Sequence, residues 1–178
     1  MSNAYTTGMQ KVIPAVLLYA FNGNEILMIQ GREKDGIPGK WNGLGGKLEV
    51  GESMLEACIR EFQEEASCTT TTSQWKWLGQ LYFPNFKPNK NEDWWVNVFI
   101  TDLDTQQRIQ IPLHDPSHAE GLLQFVPLSG ILSLDLWDGD QKFLPFVFDR
   151  IPFEGTFFYE NGHCVRDELS IIHTPKLE

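Results

Sequence analysis

GGKLEVGESMLEACIREFQEEASC, residues 45–68, is the stretch on which the reading of this chain turns. Ser53 has the character of a helix N-cap, and Glu56 follows three residues later, the spacing of a capping box. Leu55, Cys58, Ile59 and Phe62 recur at helical intervals and form one apolar face. The pattern predicts a helix from Ser53 to about Ala66, ended by the run Thr69–Ser73, because β-branched Thr gives little reason to continue. On that helix Glu61, Glu64 and Glu65 stand at i, i+3 and i+4 and share a face about one turn deep. Like charges at this spacing repel, so they do not stabilise the helix by themselves. A hard divalent cation converts the repulsion into coordination, since carboxylate oxygens are its preferred ligands. Such a cation completes its shell with water and substrate phosphates, an arrangement suited to attack of water on phosphorus. Arg60, four residues from both Glu56 and Glu64, can pair along the helix and orient a ligating carboxylate. Glu52 lies just before the helix, and Gly45 and Gly46 allow backbone to pass close to metal or phosphate.

Outward from this segment the chain alternates strand and helix signals. Lys11–Ala20 and Glu25–Ile29 are apolar, β-leaning runs around Asn22-Gly23, a hairpin signal. Gly31–Gly43 reads as a loop and Leu44–Val50 as a short, glycine-flanked strand. Trp75–Phe83 and Trp94–Leu103 read as strands on either side of a polar loop, Pro84–Asp93. In Trp94-Trp95 one ring is expected inward and one outward, the latter able to line a cleft. Asp104–Ala119 reads as a loop and Leu122–Val126 as a strand. Pro127–Leu136 carries no clear pattern, and Gly139–Arg150 is expected to be helical despite Pro145. Phe153–Tyr159 and Cys164–Ile172 flank Asn161-Gly162, a second hairpin signal. The order β-β-β-α-β-β-β-α-β-β implies an α/β chain, a mixed sheet with helices on its faces. At 178 residues and without a composition break, residues 5–178 are expected to form one domain. Ser2-Asn3-Ala4 reads as an expression scar.

A net charge of −10 and the absence of a basic run argue against a partner such as long nucleic acid. A small phosphorylated ligand remains compatible when a divalent metal screens the charge. Cys58, Cys68 and Cys164 are odd in number and show no paired spacing, which points to a reducing cytoplasm. No apolar run reaches the ~18 residues of a membrane span. His114 and His118 flank Asp115, but no further ligand follows at a metal-site spacing, so a polar loop is the simpler reading.

Gly46, then Glu52, then Arg60-Glu61-Phe62-Gln63-Glu64-Glu65, taken with the intervals between them, resembles the Nudix box. The resemblance implies a Nudix αβα sandwich with a loop–helix–loop motif that holds Mg2+ or Mn2+. Carried over by position, the metal ligands would be Glu61, Glu64 and Glu65, with the Gly45 carbonyl as a further oxygen. Glu64 and Glu61 would serve catalysis, Arg60 and Glu52 would support them, and Glu120 would be an extra ligand or base, or else a loop carboxylate. One departure stands at the helix end, where Ser67-Cys68 replace the family's Gly and aliphatic residue.

Lys40–Lys47 (KWNGLGGK) and Leu136–Asp140 (LWDGD), with the Phe-rich run that follows, resemble the mammalian-type oxidised-purine nucleoside triphosphatases. That likeness implies that Asn42, Phe83, Trp137 and Asp140 read a purine and that Lys47 touches phosphate. A stacking Trp, an Asn able to give and accept, and a protonated carboxyl make chemical sense of a base pocket. Plainer roles stay open: a turn for Asn42, core packing for Trp137 and Phe83, a helix N-terminal acid for Asp140, surface exposure for Lys47. Where the subfamily has two adjacent Asp, this chain has Gly139-Asp140. The expected activity is Mg2+-dependent cleavage of an oxidised purine dNTP such as 8-oxo-dGTP to monophosphate and pyrophosphate. Hydrolysis of a nucleotide sugar, ADP-ribose or an RNA 5′ end is the alternative within enzymes. A nucleotide-sensing module without turnover is the alternative outside them.

Overall fold

In the computed structural model, residues 9–32, 39–115, 117 and 121–173 are described. The strands are β1 (Lys11–Asn22), β2 (Glu25–Gly31), β3 (Trp41–Asn42), β4 (Lys76–Lys87), β5 (Glu92–Asp102), β6 (Gly121–Pro127), β7 (Phe153–Glu160) and β8 (His163–Ile171). The helices are α1 (Met54–Ala66), α2 (Thr105–Gln110), α3 (Leu128–Ile131) and α4 (Asp140–Phe148). One mixed sheet runs in the order β3-β2-β1-β5-β4-β7-β8, with β6 on the other edge of β2. Its axis is the parallel pair β1–β5, in unbroken register from Lys11↔Glu92 to Phe21↔Asp102.

Both faces of that axis are covered, which explains why β1 is almost continuously apolar rather than alternating. Val16, Leu18 and Ala20 pack with Ala57, Cys58 and Phe62 of α1, where Phe62 meets Trp75 edge-on at 5.2 Å. Ala15, Tyr19 and Phe21 face the other way, into a core completed by Phe143, Leu144 and Val147 of α4 and by Phe153 and Phe157. The result is a mixed α/β sandwich with α1 and α4 on opposite faces.

Several elements differ from the sequence reading. The third strand is Trp41–Asn42, inside the expected loop, where it pairs with β2 at Ile29 and Gln30. Leu44–Val50 makes only isolated bridges to β1, Leu44 to Leu18 and Lys47 to Ala15. β4 and β5 run further than expected, so a turn at Pro88–Lys90 replaces most of the Pro84–Asp93 loop. Within the loop expected after Asp104 there is a helix, α2, capped by Asp104 and Gln107 in a reciprocal box. The unpatterned stretch after Pro127 contains α3. Both Asn-Gly hairpins form, β1–β2 and β7–β8, with Gly23, Asn161 and Gly162 at positive φ as such turns require.

The glycine segment fixes the position of the motif. It runs antiparallel beside β1, with Val16 N–H donating to the Gly46 carbonyl at 2.9 Å and Leu18 N–H to the Leu44 carbonyl at 2.7 Å. Gly45 has φ +136°, and a Cβ there would strike the Val16 carbonyl oxygen. Gly45→Ala therefore should lose about 2 kcal/mol or more of stability, read as a lowered urea midpoint at unchanged slope.

Candidate active site

α1 begins as the sequence indicates. Ser53 Oγ accepts the Glu56 N–H at 3.3 Å, and Glu56 returns to the Ser53 N–H at 2.8 Å. Ala57, Cys58, Phe62 and Ala66 are its buried residues, while Leu55 and Ile59 are only partly covered. The helix ends at Ser67, which takes φ +53° and donates its N–H to the Gln63 carbonyl at 3.1 Å. Ser67 thus adopts the left-handed turn that Gly makes easily, at the strain cost of carrying a side chain there.

Arg60 is the hub of the acidic face. Its Nε and Nη2 grip the two oxygens of Glu52, each at 2.8 Å, a bidentate pair. Nη1 reaches Glu61 Oε1 at 2.8 Å and Glu64 Oε2 at 3.3 Å, and Nη2 also donates to the Lys47 carbonyl at 3.0 Å. Glu56, the other sequence neighbour of Arg60, is taken up by the cap instead. Glu52 further accepts the Glu49 N–H, and the Arg60 bonds hold its carboxyl below the usual range. Glu65 Oε2 accepts the Gly45 N–H at 2.7 Å. Glu61 lies against Gly46, where a Cβ would collide with its carboxyl.

Burial raises the Glu61 carboxyl above its usual range, opposed by Arg60 and reinforced by the negative charges of Glu64 and Glu52. Among the described residues no three His, Cys, Asp or Glu side chains converge as a ready-made metal cluster. The donor chemistry nevertheless fits a hard divalent cation: three helix-borne carboxylates, of which Glu61 has its ionised form disfavoured by burial and neighbouring negative charge, a cost that a cation would relieve.

Across the glycine segment, on the α4 face, opens a cavity of about 180 Å3. Gly45 and Gly46 form part of its wall, and the expected base-pocket residues Asn42, Phe83, Trp137 and Asp140 all line it. Phe83 stacks on Phe157 at 5.9 Å, and Trp137, at 38% exposure, stands at the mouth. Asn42, at the end of β3, accepts the N–H of the adjacent Gly43 through Oδ1 at 2.8 Å, and the residue lines the cavity. Lys47 is not in the lining, but its Nζ lies 5.1 Å over the ring of Trp94, which is. Trp94 is the inward member of its pair, and Lys87 approaches it at 4.9 Å.

Phe86, Trp94 and Tyr159 also line the cavity without having been singled out as base readers. Their signal was aromatic clustering, which by itself does not separate pocket from core. Asp138 turns away and accepts the Cys164 N–H at 3.0 Å on the β7–β8 hairpin, so it does not supply the cavity's second acid. Glu120 and His118 lie outside the described residues. Asp115 accepts from Ser117 N and Oγ, a loop contact.

Asp140 is 7% exposed, and its Oδ2 has no hydrogen-bond partner among the described residues. Burial pushes its carboxyl up to about 7, against the pull of Lys40. Tyr19 lies fully buried in the same core, its ring beneath Gly43, and its hydroxyl is likewise unpartnered.

Residues 11–147 match the NUDIX domain, and the chain belongs to this family of pyrophosphohydrolases, enzymes that cut phosphoanhydride bonds in small nucleotide substrates. The Nudix hydrolase YvcI of Bacillus subtilis is 28% identical over 154 residues, 86% of this chain and 89% of its own. The oxidized purine nucleoside triphosphate hydrolase of Danio rerio is 27% identical over 139 residues, 78% of this chain and 81% of its own. The fold is that of the MutT protein from Bacillus halodurans, with a TM-score of 0.72 at 23% identity over 88% of this chain and 97% of that one. No helix among the described residues is long and apolar enough to cross a membrane.

The raised carboxyl of Asp140 has a thermodynamic consequence. A group whose folded pKa of about 7 exceeds its ordinary 3.8 contributes most below pH 4, and that contribution is lost as pH rises to about 7. Relative to Asp140→Asn, the native chain should lose stability across pH 4–7 at up to ~1.4 kcal/mol per pH unit. Denaturation midpoints of the two proteins through that range measure the difference.

Proposed function

We propose that this Nudix hydrolase is a nucleoside triphosphate pyrophosphohydrolase acting on oxidised purine deoxynucleotides such as 8-oxo-dGTP, with monophosphate and pyrophosphate as products and Mg2+, or Mn2+ in its place, as the metal. The observation that carries this reading is Asp140, a buried carboxyl whose Oδ2 has no partner among the described residues, in an aromatic cavity that shares the Gly45–Gly46 wall with the acidic helix. A carboxyl raised to about 7 still carries its proton in about half of the molecules at pH 7, and in that form can donate to a base edge. Trp137, Phe83 and Trp94 supply faces for stacking, and Asn42 keeps its amide N–H groups for the base. The likeness to the zebrafish oxidised-purine enzyme supports the same substrate class.

Glu61, Glu64 and Glu65 would hold the cation, with the Gly45 carbonyl as a further oxygen. When bound, the cation neutralises phosphate charge and the charge that develops on the leaving group. Arg60 holds Glu61 and Glu64 in fixed orientation, and Glu52 holds Arg60; both are positioning residues. Of the three glutamates that would hold the cation, Glu64 is touched only by the longest of the Arg60 contacts and is open to solvent, so beside its part in holding the cation it would be the carboxylate to accept a proton from water. Lys47 and Lys87, flanking Trp94 at the cavity, offer positive charge to the phosphate chain. Three free thiols suit the reducing cytoplasm as the working compartment.

The test is turnover of a panel comprising 8-oxo-dGTP, dGTP, dATP, ADP-ribose and a nucleotide sugar with Mg2+, products separated by chromatography. The expected result is 8-oxo-dGTP well ahead of dGTP, loss of activity with a chelator, and a kcat about 10²–10⁴-fold lower in Glu64→Gln. Preferential cleavage of ADP-ribose or the sugar would remove the purine reading and leave the family chemistry standing. Binding of 8-oxo-dGTP without turnover of any compound, with Mg2+ or Mn2+, would make the protein a sensor.

A further inference from the structure

The likeness to the oxidised-purine enzymes puts a second acid at position 139, where this chain has glycine, and a side chain from another strand occupies the space. A Cβ on Gly139 would lie 2.8 Å from the Tyr159 hydroxyl and 3.0 Å from Phe157 Cδ1. Tyr159 comes from β7 and is held by aromatic neighbours, with Phe83 at 6.2 Å and Phe86 edge-on at 6.0 Å. Its oxygen accepts the Gly139 N–H at 2.9 Å, one of the donors that the first turn of α4 leaves without a helical partner. Among the described residues no acceptor takes the Tyr159 proton. Burial pushes this phenol above its usual range, so the proton stays in place at neutral pH.

The opposite wall is built the same way. Asn42 spends Oδ1 on the Gly43 N–H at 2.8 Å, which fixes the orientation of the amide and leaves its nitrogen with two protons to give. Both groups line the cavity, and so does Asp140, whose Oδ2 is unpartnered. Tyr159 and Asn42 have each satisfied their accepting oxygen on local backbone and retain donors.

We propose that Tyr159 is a specificity-determining residue that takes the place of the second acid, and that with Asn42 it makes the pocket rich in donors, selecting a purine with a carbonyl at position 6 over one with an amino group. A second acid could accept or donate according to its proton, whereas the phenol, its oxygen already taken by the Gly139 N–H, offers only a donor, so this pocket is narrower in what it reads than a two-acid pocket. The proposal rests on the purine triphosphate reading above.

The experiment compares kcat/KM for dITP and dATP, which have a carbonyl and an amino group respectively at position 6. The native enzyme should favour dITP. Tyr159→Phe should lower kcat/KM for dITP about 3- to 10-fold, through KM, and leave dATP within about twofold, the effect of one lost neutral hydrogen bond. A purely structural role would lower both substrates together. Gly139→Asp tests the space itself. It should lower the melting temperature of the native chain more than that of Tyr159→Phe, because the hydroxyl it meets is gone in the second background. Equal treatment of dITP and dATP by the native enzyme, an unchanged ratio in Tyr159→Phe, or an equal penalty for Gly139→Asp in both backgrounds would each overturn the proposal. If neither triphosphate is cleaved while ADP-ribose or a nucleotide sugar is, the purine triphosphate reading fails first and takes this one with it.

Discussion

The two-sided contact of the Gly45–Gly46 backbone sets where everything else in the site can be. On one side the segment bonds to β1, through Gly46 and Leu44 carbonyls and the Leu44 N–H, close enough that a Cβ on Gly45 would meet the Val16 carbonyl. On the other, the Gly45 N–H bonds to Glu65 and Gly46 lies against the Glu61 carboxyl. The sheet therefore locates the carboxylates through a strip of backbone with no side chains between them. Gly45 and Gly46 are also part of the wall of the cavity on the α4 face.

The second constraint is electrostatic. Glu52, Glu61, Glu64 and Glu65 crowd together at the start and along one side of α1, and a chain with net charge −10 has little positive charge to spare. Arg60 answers most of this demand with one guanidinium, which is planar, permanently charged and able to address several carboxylates together. Its strongest contact is with Glu52, so the residue that most stabilises Arg60 lies outside the helix that carries Glu61, Glu64 and Glu65. Glu61 is left with a single Arg60 contact in a half-buried setting, and its carboxyl stays raised. The arrangement holds the carboxylates in order without neutralising them, as the proposed cation site requires.

How much of this was legible in the sequence depended on whether the determining interaction was local. The Ser53–Glu56 box and the 3.6-residue periodicity fixed α1 to within a residue, and the two Asn-Gly turns fixed both hairpins, because each is decided by neighbours in the chain. β3 was hidden because Trp41–Asn42 becomes a strand only by pairing with β2, while Trp41 N–H also bonds the distant Asp135 carbonyl. The parallel register of β1 with β5 is equally non-local. α2 is a different case: Asp104 and Gln107 have capping-box spacing, and the signal was present but overshadowed by the polar composition of the loop. In the site, the charge spacing disclosed the carboxylates, but it could not show that Arg60 would take Glu52 rather than Glu56. Asn42, Phe83, Trp137 and Asp140 were found by resemblance and lie together. Phe86, Trp94 and Tyr159 were not separable from core aromatics until strand register put them on the cavity wall.

Asp140 exposes the tension between folding and function in this protein. A buried carboxyl with an unpartnered oxygen destabilises the chain at neutral pH, and an apolar residue at the first turn of α4 would remove that cost. The acid instead sits where its proton is held by the low polarity around it, with Lys40 as the one cation pulling the other way. Tyr19, buried beside it with its own unpartnered hydroxyl, adds to the cost rather than relieving it. Two unsatisfied polar groups in one core, one of them opening into a cavity lined by stacking aromatics, are expensive for packing alone. Tyr19 does not line that cavity, but Asp140 does, and under the proposed reading a base that supplied its missing partner would return part of the folding energy forgone in the free enzyme as discrimination.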